Sequence, residues 1–279
     1  MRKSIFQIIE ENDNLERKIG RIVQLFQNEL IVVLQSKNVT ESYSMKTVID
    51  EGLFKTWKQR RYCVNLVEYL EILEYEDLCL NSDMESFIVI TELVYNFWML
   101  IYTNIYCGEQ PQYKQVECTE FLRVKMMLDE YLSQCNHRAV HYPEEEKVLV
   151  VPDNEAVTAV VEIVDAPLAM EILQYNHHSL KENLNAKKSI LRNLGDALEL
   201  RRKELHKVDS TLETTIFHIL NSMGIRHMNA KNEANVVKVG NDLEYWFDEL
   251  YQMMLLAFLR MDNVKRMNKY EEELKSKLT

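Results

Sequence analysis

Apolar positions recur at helical spacing along almost the whole chain. Ile5, Ile8, Ile9, Leu15, Ile19, Ile22, Leu25, Phe26, Leu30 and Val33 keep a period near 3.6 residues, which predicts a first helix from Ser4 to Gln35, broken at Asn38-Val39-Thr40. A second helical stretch, Thr47 to Leu73, turns Val48, Leu53, Trp57, Val64, Val67, Leu70 and Leu73 inward and carries a basic patch at Lys55, Lys58, Arg60 and Arg61. Ser86 to Cys107 is so dense in Ile, Val, Phe, Trp and Tyr that it reads as the central helix of the N-terminal half, with Gly108 and Pro111 marking its end. Residues 112–136 resume a helix through Phe121, Leu122, Val124, Met127, Leu128 and Leu132.

The period changes once. Ala139-Val140-His141-Tyr142, a turn at Pro143-Glu144-Glu145-Glu146, and Lys147-Val148-Leu149-Val150-Val151 predict a small β-hairpin near 139–151, closed by Pro152. Asp165-Ala166-Pro167 then has the form of a capped helix start. From Leu168 to Met223 a helical face runs for nearly 60 residues, with Ser210-Thr211-Leu212-Glu213 as a capping box that divides it and Gly224 as its end. Asn241-Asp242-Leu243-Glu244 opens a last helix, whose inward face is Leu243, Trp246, Phe247, Leu250, Met254, Ala257 and Phe258. The expected fold is all-α. It comprises an N-terminal helical domain (1–137), a β-hairpin and connector (138–165), and a C-terminal helical bundle (166–279).

Composition narrows what such a fold can do. Six Gly among 279 residues leave no phosphate-cradling glycine loop, which excludes P-loop and Rossmann chemistry. Five Cys without CxxC spacing suggest neither a disulfide framework nor a zinc knuckle, and the N-terminus meets Glu10, Glu11 and Asp13 before any apolar leader develops; a cytoplasmic setting is expected. The 86–107 segment carries Glu92, Asn96 and Asn104, and no Lys or Arg lies between Arg61 and Lys114 to anchor it, so no membrane span is expected. A net charge of −11 disfavours RNA or other nucleic acid as the main partner. The charge is uneven, however: residues 62–113 hold nine acids and no Lys or Arg, whereas 181–207 hold eight bases against four acids. His177-His178 falls on the long helical run without the spacing or Cys partners of a zinc site, and no metal or other cofactor is expected.

One segment concentrates polar chemistry between two apolar helices, Asn221-Ser222-Met223-Gly224-Ile225-Arg226-His227-Met228-Asn229-Ala230-Lys231-Asn232. Arg226 beside His227 has the makings of a phosphodiester site, the guanidinium stabilising negative charge and the imidazole moving a proton, with Lys231 in support and Asn229 and Asn232 as binding groups. The structural alternative is a helix C-terminus whose dipole attracts cations.

The long paired helices, Ile225-Arg226-His227-Met228-Asn229 and the aromatic-rich last helix together resemble the HEPN superfamily over about residues 166–265. The signature of that family is an Arg, a polar residue, and a His in the pattern R-x4-6-H. Arg226 matches the Arg and His227 the polar position, but Lys231, Asn232 and Glu233 occupy the places open to the terminal His. A literal R-x4-H, Arg201 to His206, falls mid-helix at a frequency that chance alone supplies. The resemblance implies a degenerate helical protein acting through protein contacts in prokaryotic phage defence or a toxin–antitoxin system. The alternatives are a metal-independent ribonuclease using Arg226 and His227, and a nucleic-acid-binding module without catalysis. Tyr245, Trp246, Phe247, Tyr251, Met253, Met254, Leu255, Leu256, Phe258 and Leu259 exceed one buried stripe, and a twofold homodimer through the C-terminal bundle is expected, with burial of the whole helix inside a single larger domain as the competing account; a partner protein is a further expectation.

Overall fold

A computed structural model of the chain describes residues 5–36, 39–107, 119–226 and 230–278. These are mostly α-helical, with two small two-stranded sheets, and fall into two compact units, Met1–Pro152 and Asp153–Thr279.

In the N-terminal unit, α1 (Ile5–Gln27) buries Leu15, Ile19, Ile22, Leu25 and Phe26 and stops eight residues short of the expected Gln35. The β-branched run Ile31-Val32-Val33 favours extended backbone over helix. It forms β1 (Val32–Ser36), paired antiparallel with β2 (Val39–Tyr43) from Val32 opposite Tyr43 to Ser36 opposite Val39. This second hairpin corrects the reading of a single one, and Leu30, taken for a core position, is 66% exposed.

The stretch from Thr47 to Leu73 is likewise not one helix. A short α2 (Met45–Val48), capped by Ser44, widens into a π-type turn at Ile49–Leu53 and tightens into 3-10 turns at Phe54–Thr56 and Lys58–Arg60. Arg61 then reverses the chain at φ 54°, and Asn65 caps α3 (Leu66–Ile72). The change of course leaves Trp57 buried but turns Val64 and Val67 out to solvent. Lys58 of the basic patch and its neighbour Gln59 hold the turn at residues 143–146. Lys58 Nζ lies 2.8 Å from Glu146, and Gln59 Nε2 donates to the Glu145 carbonyl at 2.7 Å.

After α4 (Tyr75–Leu80) comes α5 (Met84–Ile101), capped by Asp83 and extended by a π-type turn to Tyr106. It is a helix long and apolar enough to cross a bilayer, and 72% of its apolar window is buried. Phe97 stacks on Phe26 (centroids 5.4 Å apart) and tilts against Trp57 (5.0 Å). Trp98 stacks on Phe121 of α6 (Thr119–Gln134) at 5.1 Å and donates its indole N–H to the Phe121 carbonyl. Gly108, Pro111 and the first part of the expected 112–136 helix lie outside the described residues.

The hairpin read near 139–151 forms as β3 (His137–Tyr142) and β4 (Lys147–Pro152), joined by a 3-10 turn at Pro143–Glu145. Its second strand packs against α5. The Asn96 side chain donates to the Val148 carbonyl and accepts from the Val148 N–H, both at 2.8 Å, while Glu92 accepts from the Val150 N–H at 2.6 Å. Residues four apart on a helix are about 6 Å apart along its axis, and residues two apart on a strand about 6.7 Å, so the two side chains match alternate backbone groups of β4.

The C-terminal unit begins within the expected connector with α7 (Glu155–Val161), capped by Asn154. Asp165 caps α8 (Ala166–Tyr175), accepting from the Leu168 N–H, with Pro167 in the first turn. The run from Leu168 to Met223 is divided into four helices: α8, α9 (Leu184–Leu200), α10 (Arg202–Val208) and α11 (Ser210–Ser222). Apolar periodicity survives these breaks because each short helix turns the same kind of face toward one core. His177 and His178 therefore sit in the turn after α8 rather than on a long helix. The cap of α11 is Asp209, not Ser210. The chain continues through α12 (Ala230–Val239) and a 3-10 turn at Gly240–Asp242 into the long α13 (Leu243–Leu278). Phe247, Leu250, Tyr251, Met254, Ala257, Phe258 and Met261 face inward, whereas Trp246, read as core, is 38% exposed.

Two substitutions test this packing. Asn96→Leu leaves both backbone groups of Val148 without their partner, at about 1–3 kcal/mol for each buried group, and should lower unfolding free energy in urea by about 2–4 kcal/mol. At Gly195 a Cβ would lie 3.0 Å from Leu220 Cδ1, a fully buried side chain with little room to yield. Gly195→Ala gains about 1 kcal/mol of helix propensity but overpacks at about 1–3 kcal/mol; thermal denaturation should show a net loss.

Candidate functional site

The Arg226 segment is built by the end of α11. Met223 follows the last helical turn, Gly224 adopts φ 60°, and Ile225 returns its N–H to the Leu220 carbonyl at 3.0 Å. A left-handed residue is needed to fold the backbone over the helix end, and glycine takes it without a Cβ penalty. Ile225 is then fully buried. Its carbonyl accepts from Arg192 Nε at 2.9 Å, and the Ser222 carbonyl accepts from Asn235 of α12 at 3.1 Å.

With Ile225 anchored, Arg226 turns onto α9. Its Nη1 lies 2.8 Å from Glu199 Oε2 and its Nε 3.3 Å from Asp196 Oδ1. Arg192, Asp196 and Glu199 follow one another at i, i+4 and i+7, so one face of α9 receives the whole turn. The Arg226 side chain is 21% exposed, and its guanidinium has a carboxylate on each of two nitrogens. An anionic ligand at the remaining donors would meet the negative charge of those two carboxylates. His227 and Asn229 lie outside the described residues; Lys231 and Asn232 fall in the first turn of α12, whose backbone alone is described there.

Two further ionic clusters were not legible in the sequence. In the first, the buried Lys187 of α9 reaches Glu244 and Asp248 of α13, each at 2.8 Å, and lies 5.1 Å from the centre of the Tyr175 ring. Tyr175 donates its hydroxyl to Asp248 at 2.9 Å and stacks on Tyr251 with centroids 4.0 Å apart. Burial opposes the ammonium charge, but hydrogen bonds to Asp248 and Glu244 outweigh it and raise the Lys187 pKa. Burial likewise raises that of Tyr175, helped by Asp248. A lysine held this firmly protonated is no nucleophile at neutral pH. It is a cationic fastener between α9 and α13.

In the second cluster Glu213, placed in the expected capping box, turns inward instead. Its carboxylate takes Arg202 Nε at 2.5 Å and His206 Nδ1 at 3.1 Å. The Arg201–His206 spacing thereby acquires its physical content. Arg201 lies at the joint of α9 and α10 and pairs with Glu204, while His206 pairs with Glu213; the two do not converge. The Arg202 guanidinium also covers the Phe217 ring at 4.2 Å. Burial favours the neutral acid at Glu213, but the hydrogen bonds from His206 and Arg202 prevail and depress its pKa.

A depressed carboxylate stabilises the folded chain above the ordinary glutamate pKa of about 4.3 and loses that contribution as pH falls through the folded-state value. Glu213→Gln should therefore cost about 1–2 kcal/mol at pH 7, less than the loss for a fully buried pair because Arg202 is half exposed and regains water. Melting temperatures from pH 7 to pH 3 should show the gap between variant and wild type narrowing below pH 4.5.

No family model matches this chain, and neither a curated protein nor a solved structure matches it, so the functional reading rests on the residues themselves.

Proposed function

We propose that the chain is a degenerate HEPN-like helical protein that acts through protein contacts, as a cytoplasmic homodimer, in prokaryotic phage defence or a toxin–antitoxin system. The setting comes from the resemblance of the Arg226 segment and its flanking helices to that superfamily. The absence of catalysis is supported by one observation above the others: the arginine that would stabilise a transferred phosphoryl group is already paired with Asp196 and Glu199. Oxyanion stabilisation requires donors aimed at the place where charge develops, and here two carboxylates of the same chain already answer the guanidinium charge. The missing terminal His and the net charge of −11 support the same reading.

Arg226 then has a structural duty, fastening the end of α11 to α9. Arg226→Ala should lower stability by about 1–2 kcal/mol, the sum expected of two partly exposed charge-assisted contacts. Purified protein incubated with single-stranded and structured RNA in EDTA should leave it intact, as should Arg226→Ala. Cleavage by the wild type that is lost in Arg226→Ala would establish the ribonuclease alternative and sink this proposal. Retention on RNA without cleavage, weakening steeply with salt, would favour the binding module instead.

A further inference from the structure

Lys18 occupies a face of α1 on which a charge is out of place. It follows Leu15 by three residues and precedes Ile22 by four, so it shares the stripe that packs into the N-terminal core, and it is only 5% exposed. A lysine buried to that extent does not lift its ammonium into water. Among the described residues it meets no carboxylate. Its Nζ donates to Cys135 Sγ at 3.6 Å and lies 5.8 Å from the centre of the Tyr131 ring. A buried ammonium is costly unless a counter-charge faces it. Of these two neighbours the sulfur is the nearer, and thiols ionise more readily than phenols.

The sulfur is placed by the end of α6. Cys135 follows Tyr131 by four residues, so the two side chains lie on one face and receive Lys18 together. The Cys135 N–H returns to the Leu132 carbonyl at 2.9 Å, Asn136 reverses the chain at φ 55°, and His137 Nδ1 lies 2.7 Å from the Cys135 carbonyl. Asparagine is among the few residues that adopt left-handed backbone at little cost. The turn leaves Cys135 half-buried rather than sealed.

We propose that Cys135 is a modification site for peroxide, at which the Lys18 ammonium favours the reacting thiolate and then holds the sulfenic product. This goes beyond the reading of Arg226 and does not depend on it. The thiolate is the nucleophile in such chemistry, and a neighbouring lysine is one of the settings that favour it. In the step, sulfur gives an electron pair to one oxygen of hydrogen peroxide and the O–O bond breaks. The departing hydroxide takes up the proton that the thiol has lost. R–SH and H2O2 thus become R–SOH and water, the sulfur oxidised and the peroxide reduced. Lys18 keeps its charge throughout, and its ammonium can donate to the oxygen that sulfur has gained.

The full chain, treated with a limiting amount of hydrogen peroxide in the presence of dimedone and mapped by peptide mass spectrometry, tests this. Cys135 should acquire the sulfenic adduct ahead of Cys107, although Cys107 is the more exposed. Lys18→Met, of similar length but uncharged, should slow labelling of Cys135 by about tenfold or more while leaving that of Cys107 unchanged. Lys18→Arg, which keeps the charge, should retain most of the rate. Circular dichroism reports whether each variant keeps its fold; if Lys18→Met does not, the order of labelling in the wild type decides. Labelling of Cys107 before Cys135 in the wild type would overturn the proposal, as would an unchanged Cys135 rate in folded Lys18→Met.

Discussion

A two-stranded sheet has an unpaired edge on each side, and where such an edge is buried against an apolar helix its N–H and C=O groups must find partners other than water. In the N-terminal unit those partners are Asn96 and Glu92. The amide of Asn96 presents a donor and an acceptor in the arrangement that a neighbouring strand would use, and Glu92, one turn away, reaches the next outward N–H. α5 therefore acts as a third strand made of side chains. The polar positions that interrupt its apolar run are what allow β4 to lie on it. The aromatic packing of Phe26, Trp57, Phe97, Trp98 and Phe121 surrounds the same helix, so core and hairpin share one support.

The C-terminal unit settles its joints with charge. Gly224 and Gly240 adopt left-handed backbone, while α9, α10, α11 and the start of α13 are held by cations on carboxylates: Lys187 with Glu244 and Asp248, Arg202 and His206 with Glu213, Arg226 with Asp196 and Glu199. Each cluster joins residues from different helices or from a helix and the turn that follows another. Each also keeps one member at the surface, where water moderates the cost of burying charge. This arrangement explains how a stretch that reads as one helical face of nearly 60 residues can be divided without losing its core. Leu191, Leu194, Leu198, Leu205, Ile216 and Leu220 all remain buried across the breaks.

Much of this was legible locally. The alternation around Pro143, the Asp165-Ala166-Pro167 start and the density of the central helix each depend on residues within one or two turns of one another, and each signal was sufficient on its own. The errors share a different cause. Leu30 and Val33 fit the helical period of α1, yet the β-branched run and its pairing with Val39–Tyr43 outweigh that fit. Glu213 satisfies the spacing of a capping box, but Arg202 and His206, packed one helix away, offer a charged partner that the local backbone cannot match. Arg226 was visible as a candidate, while its two carboxylates lie 27 and 30 residues earlier; nothing near it in the sequence announces that its charge is answered.

The turns carry a further implication. Arg61, Glu74, Asn136, Glu146 and Glu182 all adopt left-handed backbone, a conformation that costs a residue with a Cβ about 1 kcal/mol relative to glycine. At Glu146 the cost is offset by the ion pair to Lys58 and by the neighbouring Glu145 carbonyl held by Gln59, so the tertiary setting imposes the bend and the residue tolerates it. A lineage carrying such a chain keeps reserves of stability that single replacements by glycine could release, and with them latitude to accept costly changes on the surfaces where new contacts are tried.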